Sequence, residues 1–188
     1  MEFKVVFVGT RGSGVTTFLY RLRTGYYPID CPEEILDDFS LKCEQNGDII
    51  TFHCFDSYDH ANFDTIRQNQ YVEADIVVIC YSCLSIQSIN DVKEKWIPEV
   101  NHYAPQAKYL LLGLREMRRD CSLGLYHSVI ESCITIHNVI HCYVDSEAGN
   151  NIEEFVNTLK NMGIAIENST KVTNSPIPKL KRDFCFIQ

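Results

Sequence analysis

The sequence predicts an α/β fold: a six-stranded mixed sheet, mostly parallel, with one antiparallel hairpin and helices on both faces. Three observations carry this expectation. Apolar runs of strand length alternate with helix-period segments along most of the chain, the pattern of βα units around a parallel sheet. One pair of adjacent runs is joined instead by Asn46-Gly47, a two-residue type I′ hairpin signal. The third is Gly9-Thr10-Arg11-Gly12-Ser13-Gly14-Val15-Thr16, set between an apolar run at 3–8 and a helix-like segment at 16–22. It follows the phosphate-loop pattern G-x-x-x-x-G-K-[ST], in the strand–loop–helix setting that pattern requires, but Val15 replaces the lysine.

Taken in order, the apolar run at 3–8 is the first strand, and the segment leaving the loop is a helix near 15–23. Alternating runs at 38–45 and 48–55 flank Asn46-Gly47 and form the antiparallel pair. A helix-period segment near 61–72 leads to an apolar strand at 75–81, and the same alternation repeats as a helix at 86–100 and a strand at 107–113. A helix at 122–137, a strand at 139–144 and a helix at 151–161 complete the series. After Gly163 the pattern stops, and Asn, Ser, Thr and Pro dominate up to Pro178. This composition predicts one domain over 1–163 and an extended, flexible tail over 164–188.

Composition narrows the function classes. A chain of 188 residues with a hydrophobic fraction of 45% fits one domain with a real core. No apolar run approaches the roughly 20 residues that span a bilayer, and the first residues lack a signal-peptide pattern. The net charge of −8 argues against a nucleic-acid binder, whose footprint is basic. Of nine cysteines, Cys43, Cys54, Cys80, Cys133 and Cys142 lie in apolar runs, with no C-x-x-C and no zinc spacing. They read as buried, reduced thiols.

A phosphate loop after the first strand, an antiparallel hairpin, and Phe55-Asp56 ending the third strand together resemble the Ras superfamily of small GTPases. Within it the sequence is most similar to the Rho family. That finer resemblance rests on Val92-Lys93-Glu94-Lys95-Trp96-Ile97-Pro98-Glu99-Val100, on Tyr81-Ser82-Cys83-Leu84-Ser85 before it and on Asn101-His102-Tyr103-Ala104-Pro105 after it. It covers roughly residues 3–162 and the last four residues. The extra helix that Rho proteins insert after the guanine-reading loop looks absent, since only Met117 to Leu125 precedes the next helix.

The resemblance implies GTP or GDP and Mg²⁺ as ligands and carries roles to individual positions. Gly9 through Thr17 would cradle the phosphates, with Thr16 and Asp56 on the Mg²⁺. Tyr27 falls where an aromatic ring meets the base, and Ala148 keeps half of the later S-A motif; for Tyr27 a surface turn is an equally good reading. Several positions depart from the family. Val15 removes the loop cation, a contact worth about 1.5–3 kcal/mol. Arg11 replaces a glycine near the γ-phosphate, where it either crowds the attacking water or swings onto the phosphates in place of the lysine. Asp59 replaces the D-x-x-G glycine and brings negative charge. His60 replaces the water-orienting glutamine; it is either a weak base or an exposed loop-end histidine. Glu34 stands at the threonine of the first switch, and Met117 at the guanine-reading aspartate. Together these changes imply impaired GTP binding and hydrolysis; a divergent but working switch is the alternative.

Phe63, Ile66 and Arg67 match the family's partner-binding spacing in the second switch and imply effector or regulator proteins of Rho signalling as partners. Tyr71 of the same segment, with Trp96 and Pro98, reads as scaffold. The sequence ends in Cys185-Phe186-Ile187-Gln188, which matches a prenylation box behind Lys179, Lys181 and Arg182. Prenylation at Cys185 would hold the protein reversibly on the cytoplasmic face of a membrane, exchanging with cytosol.

Overall fold

In the first strand, β1 (Glu2–Gly9), Phe3, Val5 and Phe7 point to one side of the sheet and Val6 and Val8 to the other, and all five are buried. A strand buried on both faces belongs at the centre of a parallel sheet. The computed structural model, which describes residues 1–30, 37–57, 59–115, 127–137 and 139–173, places it there. The strands run in the order β2-β3-β1-β4-β5-β6, with β2 Phe39–Gln45, β3 Asp48–Asp56, β4 Ile76–Ser82, β5 Lys108–Arg115 and β6 Ile140–Asp145. β1 pairs in parallel with β3 and β4, and β5 lies parallel between β4 and β6. Only β2 runs antiparallel, against β3. Asn46 (φ 55°) and Gly47 (φ 85°) make the turn between them, both left-handed as a type I′ turn needs.

Helices cover both faces. On one, α1 (Val15–Thr24) and α6 (Ile152–Thr173) bring Phe18 and Phe155 together edge to face over Phe7. On the other lie a 3-10 turn at Ala61–Phe63, α2 (Asp64–Tyr71), α3 (Ile86–Asp91), a π-helical stretch Val92–Trp96, α4 (Ile97–Tyr103) and α5 (His127–His137). Trp96 and Tyr71 fill the core beneath them. Cys54, Cys80 and Cys133 are buried free thiols, and Cys43 and Cys142 are half-buried ones. Burial pushes the Cys54 thiol up to about 12, so it stays protonated and inert.

Two expectations need adjustment. The helix expected over 86–100 is continuous but changes its winding through the π-helical Val92–Trp96. The last helix does not stop near 161: α6 continues to Thr173, so the segment 164–173 is helical rather than extended. Tertiary contact explains this, because Met162 is buried and Ile164 and Ile166 pack against the core, outweighing the weak helix propensity of Gly163 and the polar residues after it. Ser169 and Thr170 donate their hydroxyls back to the Ile166 carbonyl at 2.7 and 3.2 Å, a bond such residues make inside helices. The connection 117–125 and the tail 174–188 lie outside the described residues.

Gly163 is needed where α6 crosses β1: a Cβ there would approach the Phe3 ring to 2.7 Å. Gly163→Val is therefore expected to lose about 1–3 kcal/mol by overpacking, measured by urea denaturation.

Candidate functional site

The phosphate loop follows directly from the end of β1. Gly9 pairs with Cys80 of β4, and a Cβ on Gly9 would sit 2.7 Å from the Cys80 carbonyl oxygen and 2.8 Å from a Val15 methyl. Only glycine lets the chain pass there. Gly12 (φ 83°) and Gly14 (φ 91°) are left-handed, and Ser13 N–H closes the turn onto the Thr10 carbonyl at 2.8 Å. Gly14 begins α1 and, having no side chain, offers no cap of its own to the backbone N–H groups of the first helical turn. That arrangement is a nest suited to phosphate oxygens. The backbone thus fits the group, but the side chain at the lysine position does not. Val15 is 7% exposed and belongs to the core between α1 and β1.

At the other side of the loop, Thr16 Oγ1 donates to Asp56 Oδ2 at 2.8 Å. Asp56 is buried at the end of β3, and Gln70 Nε2 donates to its carbonyl. These two oxygens fit the start of a Mg²⁺ shell. Thr16 and Asp56 would hold such an ion, which would supply charge neutralisation to bound phosphate oxygens.

A charged network ties the loop and the segment after β3 to the helix at 86–103. Asp59 Oδ2 accepts the Arg11 N–H at 3.2 Å, and its other oxygen pairs with Lys95. Lys95 lies over the Trp96 ring at 4.3 Å, and Trp96 Nε1 donates to Thr10 Oγ1 at 3.1 Å. Thr10 in turn donates to Asp91 Oδ2 at 2.7 Å. Further along, Arg67 forms a fork with Glu99 at 2.6 and 3.1 Å and also reaches Asp64 at 2.8 Å. Tyr71 donates its hydroxyl to Glu99 at 2.8 Å, and burial, then the Glu99 carboxylate, push its pKa up so that it remains a donor.

A protein-family model, described as the Ras family, matches residues 4–174. The chain belongs to the Ras family. Proteins of this family are small GTPases that typically bind GTP or GDP with Mg²⁺ and act through effectors and regulators.

In family terms the structure brings together the loop Gly9–Thr17 and the metal-side pair Thr16–Asp56, and it separates other expected residues from the site. Arg67, grouped with Phe63 and Ile66 as partner-facing, is 3% exposed and committed to Glu99, so it is a structural residue; Phe63 (37%) and Ile66 (54%) are exposed. Tyr71 is core, as expected. Arg11 is exposed at the loop rim, and Tyr27 is half-buried beyond α1. His60 is exposed, and its Nδ1 accepts the Asn62 N–H at 3.2 Å. In the neutral ring that bond places the hydrogen on Nε2, which then offers a donor rather than a base. Ala148 donates its N–H to Asp145 Oδ1 at 2.7 Å and shapes the turn after β6. Glu34, Met117 and Cys185 lie outside the described residues.

A cavity of about 220 Å³ flanks the loop, with Ser13, Gly14, Thr17, Leu114, Arg115 and Ser146 among its walls. The hydroxyls of Ser13 and Ser146 are buried without a hydrogen-bond partner among the described residues. Ser146, Lys95 and Glu99 were not singled out from sequence as working residues. Lys95 and Glu99 lie in the run that carried the family resemblance, and their spacing from Trp96 was the available signal.

Glu99→Ala is expected to lower stability by about 3–5 kcal/mol, because it strips a buried guanidinium of its main partner. Chemical denaturation measures this, and Tyr71→Phe, which removes only one hydrogen bond to the same carboxylate, should cost about 1 kcal/mol.

Proposed function

We propose that this chain is a Rho-like, membrane-tethered member of the Ras family that acts mainly by binding effectors or regulators, with impaired GTP binding and hydrolysis. The observation that carries the reading is the fate of position 15. The loop keeps its nest of N–H groups, while Val15 is turned into the core and supplies no charge to the outer phosphates. A lost charge-assisted contact of about 1.5–3 kcal/mol weakens binding by about 10- to 100-fold. His60, with its Nδ1 occupied, supports the same reading for hydrolysis. The surface kept for partners is the exposed pair Phe63 and Ile66, next to the loop-bound segment.

Arg11 favours a second reading, a divergent working GTP switch: it is an exposed guanidinium at the rim of the loop. The two readings differ in what the purified native protein carries. Extraction should yield protein largely empty of nucleotide, and Val15→Lys should raise affinity for Mg·GDP by about 10- to 100-fold in a fluorescent-nucleotide titration. Stoichiometric guanine nucleotide on the natural sequence, hydrolysed at a rate normal for the family, would establish the second reading instead.

Tethering to the cytoplasmic face of a membrane is proposed through a prenyl group on Cys185, with Lys179, Lys181 and Arg182 adding weak attraction to anionic lipid. Cys185→Ser is expected to move the protein from the membrane fraction to the cytosol; an unchanged distribution on fractionation would remove the tether from the proposal.

A further inference from the structure

We infer that Asp59 is a built-in anion for the phosphate loop, standing in for a phosphate group at its rim and holding the segment 59–63 against the loop without nucleotide. The inference rests on the reading of the chain as an interaction module with impaired nucleotide turnover, and it names how the partner surface is kept in place.

The carboxylate is bound as a phosphate group would be, by a loop N–H and a cation together. One oxygen accepts the Arg11 N–H at 3.2 Å and the other pairs with the Lys95 ammonium. Its side chain is only 15% exposed, so the charge sits partly out of water and is compensated by those two donors. Lys95 is itself positioned: it lies over the Trp96 ring, within the π-helical stretch. A π-helical turn inside a longer helix shifts the side chains that follow it and is frequent where a helix serves a site. The loop is fastened on its other side as well, because Thr10 is bonded to both Trp96 and Asp91. Consecutive loop residues 10 and 11 are therefore tied to one helix, the first directly and the second through Asp59.

Two consequences follow. The Thr16–Asp56 pair would hold a metal ion, and Asp59, three residues after Asp56 in the sequence, meets the same loop at the Arg11 N–H. A polyphosphate reaching the Arg11 N–H must displace the carboxylate or approach it at contact distance. A nucleoside triphosphate is thus penalised more than a diphosphate, which extends less far. Phe63, four residues after Asp59 and directly before α2, has its N–H bonded to the His60 carbonyl at 2.8 Å, so the exposed ring starts from a turn anchored at Asp59.

The test is amide hydrogen exchange on the full chain stripped of nucleotide, reading peptides over 9–14 and 57–66. Asp59→Asn should speed exchange in both peptides by about 10- to 100-fold, the worth of a hydrogen bond to a charged group, while peptides of β4 and β5 stay unchanged. Lys95→Met leaves the carboxylate in place and should give the same change in smaller measure, which keeps the inference testable if one variant fails to fold. Unchanged exchange in both peptides of a folded variant would overturn it. A competition titration with Mg·GDP and Mg·GTPγS adds the ligand arm: Asp59→Asn should shift the triphosphate-to-diphosphate affinity ratio upward by about tenfold, and an unchanged ratio would refute the displacement of phosphate. Efficient GTP hydrolysis by the natural sequence would defeat the proposed function alone, because the nucleotide-free exchange judges Asp59 separately.

Discussion

Parallel pairing of the central strands is the constraint on which the rest of the molecule depends. Strands that run the same way deliver their C-terminal ends to one edge of the sheet, and the phosphate loop, Asp56 and the cavity walls hang from that edge. Gly9 ends β1 beside Cys80, and Asp56 ends β3 in register with Phe7. Ser82 faces Leu114, and Arg115 faces Asp145, so the cavity walls come from the same edge. The antiparallel β2 stands outside this arrangement, at the far side of the sheet.

On that frame, polar contacts add to the core packing of Tyr71 in holding α2. Arg67 is nearly inaccessible to water, and Glu99 and Asp64 meet its charge. Trp96 serves two systems: its ring supports Lys95 and Arg67, and its N–H reaches Thr10. The helix at 86–103 therefore acts as a rail to which the loop, the segment at 59 and α2 are each attached. The run Val92–Val100 that carried the finer family resemblance is this rail.

The strands were legible in the sequence because each is a short apolar run bounded by turn residues, and Asn46-Gly47 announced its own geometry. The end of α6 was not legible, since residues 164–173 look polar locally and are made helical by Ile164 and Ile166 packing on a core assembled from distant strands. Local pattern cannot see such a contact. Thr16 and Asp56 were readable because their roles are tied to fixed positions after a strand. Arg67 is hard to read for the opposite reason: spacing on a helix groups it with Phe63 and Ile66, while Glu99, thirty-two residues later, draws its guanidinium inward and leaves the other two exposed. Lys95 and Asp59 raised the same difficulty, being meaningful as a pair and ordinary apart.

The contact between Val15 and Gly9 bears on reversibility. The valine methyl lies close against the glycine backbone and forms part of the wall between α1 and β1. A lysine at this position could keep its first methylenes on that wall while its ammonium reached the mouth of the loop, but it would lose the second β-methyl that completes the valine contact. Regaining the charge therefore exacts a loss of packing of about 1 kcal/mol or more in the folded protein. Position 15 thus belongs at once to the mouth of a ligand site and to the wall of the core, and any residue placed there answers to both.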